Sequence, residues 1–434
     1  MRLTIDYGKT GLTIQVPDTN LAGVLGLRPQ LPLPDPDAAI RAALASPTGT
    51  PPLAELASGR RSACVVISDI TRPVLNRVLL PPILAALAAA GIPTGRTLIL
   101  VATGTHRPNL GDELVSMVGE EVVREYRIEN HDARDLANHM DLGRSPRGVP
   151  MLVDRRYLDA DLRITTALIE PHFMAGYSGG RKSVCPGLCG LETVKVWHGP
   201  HFIGHPRSDS GILDGNPEHE EALFIARQAG VDFIVDVTID EQRRLTGVFA
   251  GDLEQAWLAG VRSVEEAVRA PLPEPVDIVI TSSAGYPLDL TFYQTVKGMV
   301  AALPIVKPGG TVIIAARCAE GIGSREFRDS LLGSDDIEAF VARTYEAGFF
   351  VPDQWEVHEL AKAVRQAEVL CYTEGIPAET LARCFVTPIP SVEAGLAQAL
   401  ARHGRNARIA VIPRGPYVVP VIEPEGCRPA GQAA

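Results

Sequence analysis

The chain has 434 residues, of which 46% are apolar and 21% charged, and its net charge is −11. That length suits two or three domains with full hydrophobic cores. An acidic chain without a basic stripe argues against nucleic acid or a membrane surface as a partner, although a small anionic substrate needs only a local Arg or Lys.

The opening Met1-Arg2-Leu3-Thr4-Ile5-Asp6 has no apolar stretch behind its Arg, so no signal peptide is expected. The longest apolar run, 78–90, contains two prolines and falls short of the ~20 residues that cross a bilayer. Seven cysteines without a pairing rhythm fit a reducing compartment, and a cytoplasmic protein is expected. Cys185 and Cys189 read as small packing residues, with a weak metal signal in their spacing.

Residues 2–16 alternate around a glycine turn and predict a hairpin. The proline-rich loop at 31–37 opens a helix. Ala63-Cys64-Val65-Val66-Ile67-Ser68 is a short continuous apolar run, the mark of a buried strand. A helix over 78–90, closed by Gly91, leads to a second buried strand at 97–102. Together they make a βαβ unit with a right-handed crossover and a parallel sheet. Helix and loop follow to about 160, then a strand at 162–169.

The proline-rich 270–275 predicts an interdomain linker. After it the pattern restarts: a strand at 276–281, a helix at 291–303, a turn at Lys307-Pro308-Gly309-Gly310, a strand at 311–316 and a late strand at 408–413. The expected domains are 1–269 and 276–415, both α/β. The tail 416–434 packs back or is disordered, the last eight residues being the disordered part.

Open parallel sheets bind ligands beyond the carboxyl ends of their strands. Three polar clusters fall there: Ser68-Asp69-Ile70-Thr71-Arg72-Pro73, Thr103-Gly104-Thr105-His106-Arg107-Pro108 and Glu170-Pro171-His172. His106 and His172 thus end strands, and paired imidazoles can take and return a proton near neutral pH. His201 and His205 read as surface residues.

In Gly176-Tyr177-Ser178-Gly179-Gly180-Arg181-Lys182-Ser183, three glycines allow positive φ or close backbone approach. It is not a P-loop, because Arg181 separates the last glycine from the lysine. It is either a structural turn or the seat of a nucleophilic lysine whose amine is kept partly neutral by burial or neighbouring cations. His198, after a helical segment, is a candidate nickel or zinc ligand. Gln294 and Lys297 share a helix face. A lysine near a helix start opposes the macrodipole, which raises an anion-binding role to stand level with that of a solvated surface residue.

Taken together, these segments, with Pro186-Gly187, Asp214-Gly215-Asn216-Pro217 and Tyr293-Gln294-Thr295-Val296-Lys297, resemble the nickel-dependent lactate racemase family over nearly the whole chain. The resemblance implies two Rossmann-like α/β domains with largely parallel sheets and the active site in the cleft between them. It implies a nickel-pincer nucleotide, a pyridinium-3-thioamide-5-thiocarboxylate mononucleotide holding Ni(II) and tethered to Lys182, with His198 as the protein's metal ligand. By the same resemblance His106 and His172 are the two acid/bases of a C2 inversion of a 2-hydroxy acid, through hydride removal and return and a 2-keto acid intermediate. Asp69, Thr71, Arg72, Gly176, Tyr177, Gly179 and Gly180 hold the nucleotide. Arg72, Tyr293, Gln294, Lys297 and Trp355 bind the substrate.

Cofactor-making enzymes are implied as maturation partners, and an oligomer is allowed. The segment 183–189 is less aliphatic than the family pattern. Two other readings compete. One is a zinc-type hydrolase using His172, His198 and His201 with Glu170 as base; the other is a non-catalytic nickel- or nucleotide-binding homologue. A free-dinucleotide dehydrogenase is poorly supported, since Gly321-Ile322-Gly323 lacks the third glycine.

Overall fold

The computed structural model describes residues 1–424. The expected disorder of the last eight residues lies outside them, as does Cys427. The described chain divides into two compact units, residues 29–267 and residues 1–28 with 268–424. Both are α/β.

The sheet of the first unit runs, edge to edge, Leu245–Gly251, Phe233–Ile239, Leu162–Leu168, Ala63–Ser68, Thr97–Ala102, Arg127–Asn130. Every pairing is parallel except the first, an antiparallel edge. The apolar runs become its central strands because only residues without polar side chains can be covered on both faces. Val65, Ile67, Ile99, Val101 and Ile164 pack against Leu79, Leu80, Ile83 and Leu87 of the helix Asn76–Ala89. Burying each such side chain contributes about 1.5–3 kcal/mol.

Five strands of this unit were not anticipated among its sheet and its side hairpin: Arg127–Asn130, His139–Arg144 with Pro150–Asp154, and Phe233–Ile239 with Leu245–Gly251. Arg127–Asn130 and His139–Arg144 are short and rich in polar and charged residues, so no apolar alternation announces them.

The sheet of the second unit runs Thr387–Pro388, Ala367–Tyr372, Val306–Ala315, Val276–Ser282, Ile409–Ile412, Leu21–Val24, all parallel. Its last strand comes from the N-terminal segment. Residues 1–28, expected with the first domain, therefore fold with the second. Their hairpin, Arg2–Ile5 with Leu12–Gln15, places Ile5, Ile14 and Val16 in the same core as Ile278, Ile313 and Val411.

Two further differences have plain causes. The proline-rich segment is no free linker, because Arg269–Leu272 pairs with Val419–Ile422 as a parallel ribbon. Prolines are tolerated on such edges. The glycine turn at 307–310 reverses nothing, since the strand continues through it. Pairing jumps from Val276↔Val306 to Ile278↔Thr311, so these residues loop out of the ladder. Among the described residues no helix is long and apolar enough to cross a membrane.

Candidate functional site

The parallel neighbours Leu162–Leu168, Ala63–Ser68 and Thr97–Ala102 end on one side of their sheet. The chain leaving each carries one of the polar clusters. Asp69 is buried just past its strand. Its Oδ1 accepts from the Thr71 amide (3.1 Å) and hydroxyl (2.6 Å), and its Oδ2 lies 2.6 Å from His106 Nδ1. A carboxylate only accepts, so Nδ1 carries a hydrogen, and it is the neutral ring that has its lone pair on Nε2. Burial pushes the Asp69 carboxyl up. The charge and hydrogen bond of His106, with Thr71 and Arg72, outweigh that and hold it below the usual range. Asp69, expected around the nucleotide, is thus engaged with His106, and Thr71, expected there too, is engaged with Asp69.

Arg72 Nη1 donates to Glu170 Oε1 at 2.5 Å. Glu170 is buried, and its Oε2 has no hydrogen-bond partner among the described residues. Residues 171–177 form a tight hairpin in which His172 pairs with Gly176. Its turn folds back so that the amides of Met174 (3.3 Å) and Ala175 (3.1 Å) donate to His172 Nδ1. His172 therefore presents Nε2–H, the opposite tautomer to His106. Gly176, at φ 76°, cannot be replaced: a Cβ there would sit 2.4 Å from the Ile212 carbonyl oxygen.

Lys182 rides on the short 3₁₀ turn Gly180–Ser183. The Gly180 amide donates to Asp236 Oδ2 (2.6 Å), and the Trp257 indole donates to the Ser178 carbonyl (2.8 Å). The Arg181 guanidinium lies 4.0 Å from the Trp257 ring centre and donates to the Ala175 carbonyl. Asp236 is wholly buried, and burial lifts its carboxyl to about 7 against the Gly180 amide and Arg181. This brace holds the lysine near Trp197, its Nζ 4.8 Å from that ring centre. Burial draws the Lys182 amine down to about 7; Glu218 opposes this, and Arg72 and Arg181 add to it. Near neutral pH much of it is the nucleophilic free base.

His198 ends the helix Leu191–Trp197. Its Nδ1 lies 3.1 Å from Oε1 of Glu218, a fully buried residue in the first turn of Pro217–Ala229. Asn216 caps that helix by accepting from the Glu218 and His219 amides. It also donates to the Met174 carbonyl, joining the helix start to the His172 hairpin.

In the other unit, Trp355 Nε1 donates to Tyr293 Oη at 2.8 Å. The Gln294 Oε1 is buried without a hydrogen-bond partner among the described residues. Glu356 is buried beside Lys297, and burial pushes its carboxyl up against that lysine's charge. The helix Phe292–Val300 is shorter than expected, so Lys297 lies in its last turn. There a cation suits the macrodipole, and the conflict expected from the sequence does not arise.

Glu170, Asn216, Glu218 and Asp236 are the functional neighbours that sequence reasoning missed or left without a role of this kind. Asp236 had a usable signal, a carboxylate inside the apolar run 233–239. The others look like ordinary loop or first-turn residues.

The zinc reading fails on geometry. Among the described residues no three His, Cys, Asp or Glu side chains are grouped to hold a metal ion. His201 is exposed, and Glu170 is bound to Arg72. Cys185 and Cys189 are buried free thiols.

The model of the lactate racemase N-terminal domain matches residues 7–211, and that of the C-terminal domain matches 273–421. The chain is 34% identical to the lactate racemase of Thermoanaerobacterium thermosaccharolyticum over 424 residues, covering 96% of this chain and 98% of the relative. It is 34% identical to the lactate racemase of Lactiplantibacillus plantarum over 422 residues, covering 96% and 99%. The apoprotein structure of the Thermoanaerobacterium enzyme superposes with a TM-score of 0.91 at 34% identity, covering 97% of this chain and all of that one. A Thermotoga maritima protein, 17% identical, has a TM-score of 0.68 over 91% of this chain and shares the fold.

Proposed function

The chain belongs to the lactate racemase family and is an isomerase, and on that premise we propose that it interconverts the two hands of lactate or a close 2-hydroxy acid. We propose further that it works with a nickel-pincer nucleotide tethered to Lys182 and ligated by His198. When bound, that group supplies the acceptor and donor of a hydride at the substrate C2.

The residues present fit such a group. Lys182 has an amine drawn to about 7 on a glycine turn where a Cβ at Gly180 would strike Trp257 at 2.8 Å. With its Nδ1 given to Glu218, His198 offers any metal its Nε2. The observation that supports the reading most is this nucleophilic lysine in the same unit as two histidines held in opposite tautomers.

His106, with its Nδ1 hydrogen on Asp69, accepts the substrate hydroxyl proton at Nε2. His172, with Nδ1 held by two amides, offers a proton at Nε2 to the oxygen that carries negative charge. Arg72 binds the substrate carboxylate, and Glu170 keeps its guanidinium oriented until substrate arrives. Tyr293, Gln294, Lys297 and Trp355 are proposed as the other substrate-binding residues. Asp69, Thr71, Gly176, Tyr177, Gly179 and Gly180 are proposed to line the nucleotide.

The test is to produce the chain beside cofactor-making enzymes. Intact mass, a map of Lys182, nickel content and chiral analysis of lactate are then measured. A nucleotide-sized adduct on Lys182, nickel in step with it, and racemisation are expected. An unmodified chain, in a host that modifies a known racemase, overturns the reading.

A further inference from the structure

Glu218 has no place in the proton chemistry, yet it is a fully enclosed carboxylate beside the two residues proposed to hold the cofactor. Its side chain is wholly buried. Oε1 is 3.1 Å from His198 Nδ1, and Oε2 has no hydrogen-bond partner among the described residues. Its own carbonyl accepts from the Trp197 indole at 3.0 Å, and that ring carries the Lys182 amine on its face. Lys182 feels its negative charge. A buried carboxylate is costly unless something cationic repays it. Among the described residues, the only hydrogen bond its side chain accepts is from an imidazole.

Resting on the nickel reading above, we propose that Glu218 is a positioning residue that locks His198 as the Nδ1–H tautomer, so that Nε2 is the nitrogen given to the metal. Its buried charge makes that nitrogen a stronger donor. Carboxylate–histidine–metal arrangements of this kind orient the ring and raise its basicity, and losing the carboxylate typically lowers metal affinity 10–100-fold. Asn216 completes the device. It anchors the helix start to the Met174 carbonyl at 2.8 Å and so sets where Glu218 points.

The test uses Glu218→Ala and Glu218→Gln in the full chain. Gln keeps an acceptor oxygen without the charge and is the milder variant should Ala fold poorly. In the first arm, ¹⁵N-histidine NMR of the chain without cofactor reads the His198 tautomer, assigned by loss of the signal in His198→Ala. The Nδ1–H form is expected in the parent chain, with a shift toward Nε2–H in Glu218→Ala. In the second arm, cofactor-loaded protein is challenged with EDTA and its nickel followed by elemental analysis, while intact mass tracks the Lys182 adduct. Nickel loss is expected to be 10–100-fold faster in Glu218→Ala and intermediate in Glu218→Gln, with the adduct unchanged. An unaltered tautomer together with parent-like nickel retention in both variants overturns the proposal. If the parent chain carries neither adduct nor nickel, the nickel reading fails, and the tautomer arm still decides what Glu218 does to His198.

Discussion

At the scale of single residues, the site depends on a few side chains whose ordinary chemistry is altered by burial and close neighbours. Lys182 is the sharpest case. An ordinary lysine amine titrates near ~10.4, and this one is drawn to about 7 by burial with Arg72 and Arg181 beside it. Competitive acylation followed by mass spectrometry should give Lys182 a reactivity midpoint near pH 7, well below the surface lysines. A midpoint with the surface group would remove the nucleophilic reading. Lys182→Ala should lose both adduct and turnover.

The two histidines act through their partners. His106→Ala and His172→Ala should each keep the adduct and lose roughly 10²–10⁴-fold in racemisation. Asp69→Asn leaves the His106 ring in place but removes the charge that favours its Nδ1–H form. It should cost part of that factor and move the pH profile, whereas a purely structural role would move neither kcat nor the profile. Normal rates in both His variants would end the two-base scheme.

At the scale of elements, the glycine turn before Lys182 and the charged hairpin near it carry the argument. Gly179 has φ 78°, and a Cβ there would sit 2.8 Å from Asp236 Oδ2. Gly179→Ala combines that clash with left-handed strain of about 1–2 kcal/mol. Thermal melting should show the loss, and Lys182 modification should fall with it, because the turn aims the lysine.

The hairpin ending at Asp154 is held by a buried carboxylate that accepts from Arg156 Nη2 (2.6 Å) and lies 2.9 Å from His131 Nδ1. Burial raises the Asp154 carboxyl, but the hydrogen bonds of His131 and Arg156 win and hold it far below the usual range. A depressed carboxyl stabilises the fold fully above its unfolded value near ~3.9, and that contribution is lost as pH falls toward the folded value. Asp154→Asn should therefore cost about 3–5 kcal/mol at pH 7. The gap to the parent chain should narrow progressively below about pH 4, as denaturant unfolding at several pH values would show. A constant gap would contradict the assignment.

At the scale of the whole molecule, the N-terminal segment belongs to the unit that contains the C-terminal half. Leu21–Val24 pairs with Ile409–Ile412, and Ile5 and Ile14 are fully buried in that core. Removing residues 1–28 should destabilise residues 268–424 by about 3 kcal/mol or more, taking ~1.5–3 for each buried isoleucine. It should leave the amide protection of 29–267 as it was. Hydrogen exchange with mass spectrometry separates the two, and equal loss in both units would contradict the division.

The amino-acid sequence by itself determined the local elements and the inventory of reactive groups. The apolar-rich runs at 63–68, 97–102 and 276–281 read as buried strands. The polar clusters behind the first two had to leave one end of a parallel sheet, because a right-handed crossover brings both strands in with the same direction. What only the tertiary structure decided is who partners whom. Asp69 meets His106 across 37 residues, Arg72 meets Glu170 across 98, and His198 meets Glu218 across 20. Those distances along the chain carry no periodic signal, since strand order and loop path set them. The same holds for the N-terminal strand and for the proline-rich ribbon at Arg269–Leu272: backbone hydrogen bonding, which every sequence can offer, joins them to partners far along the chain.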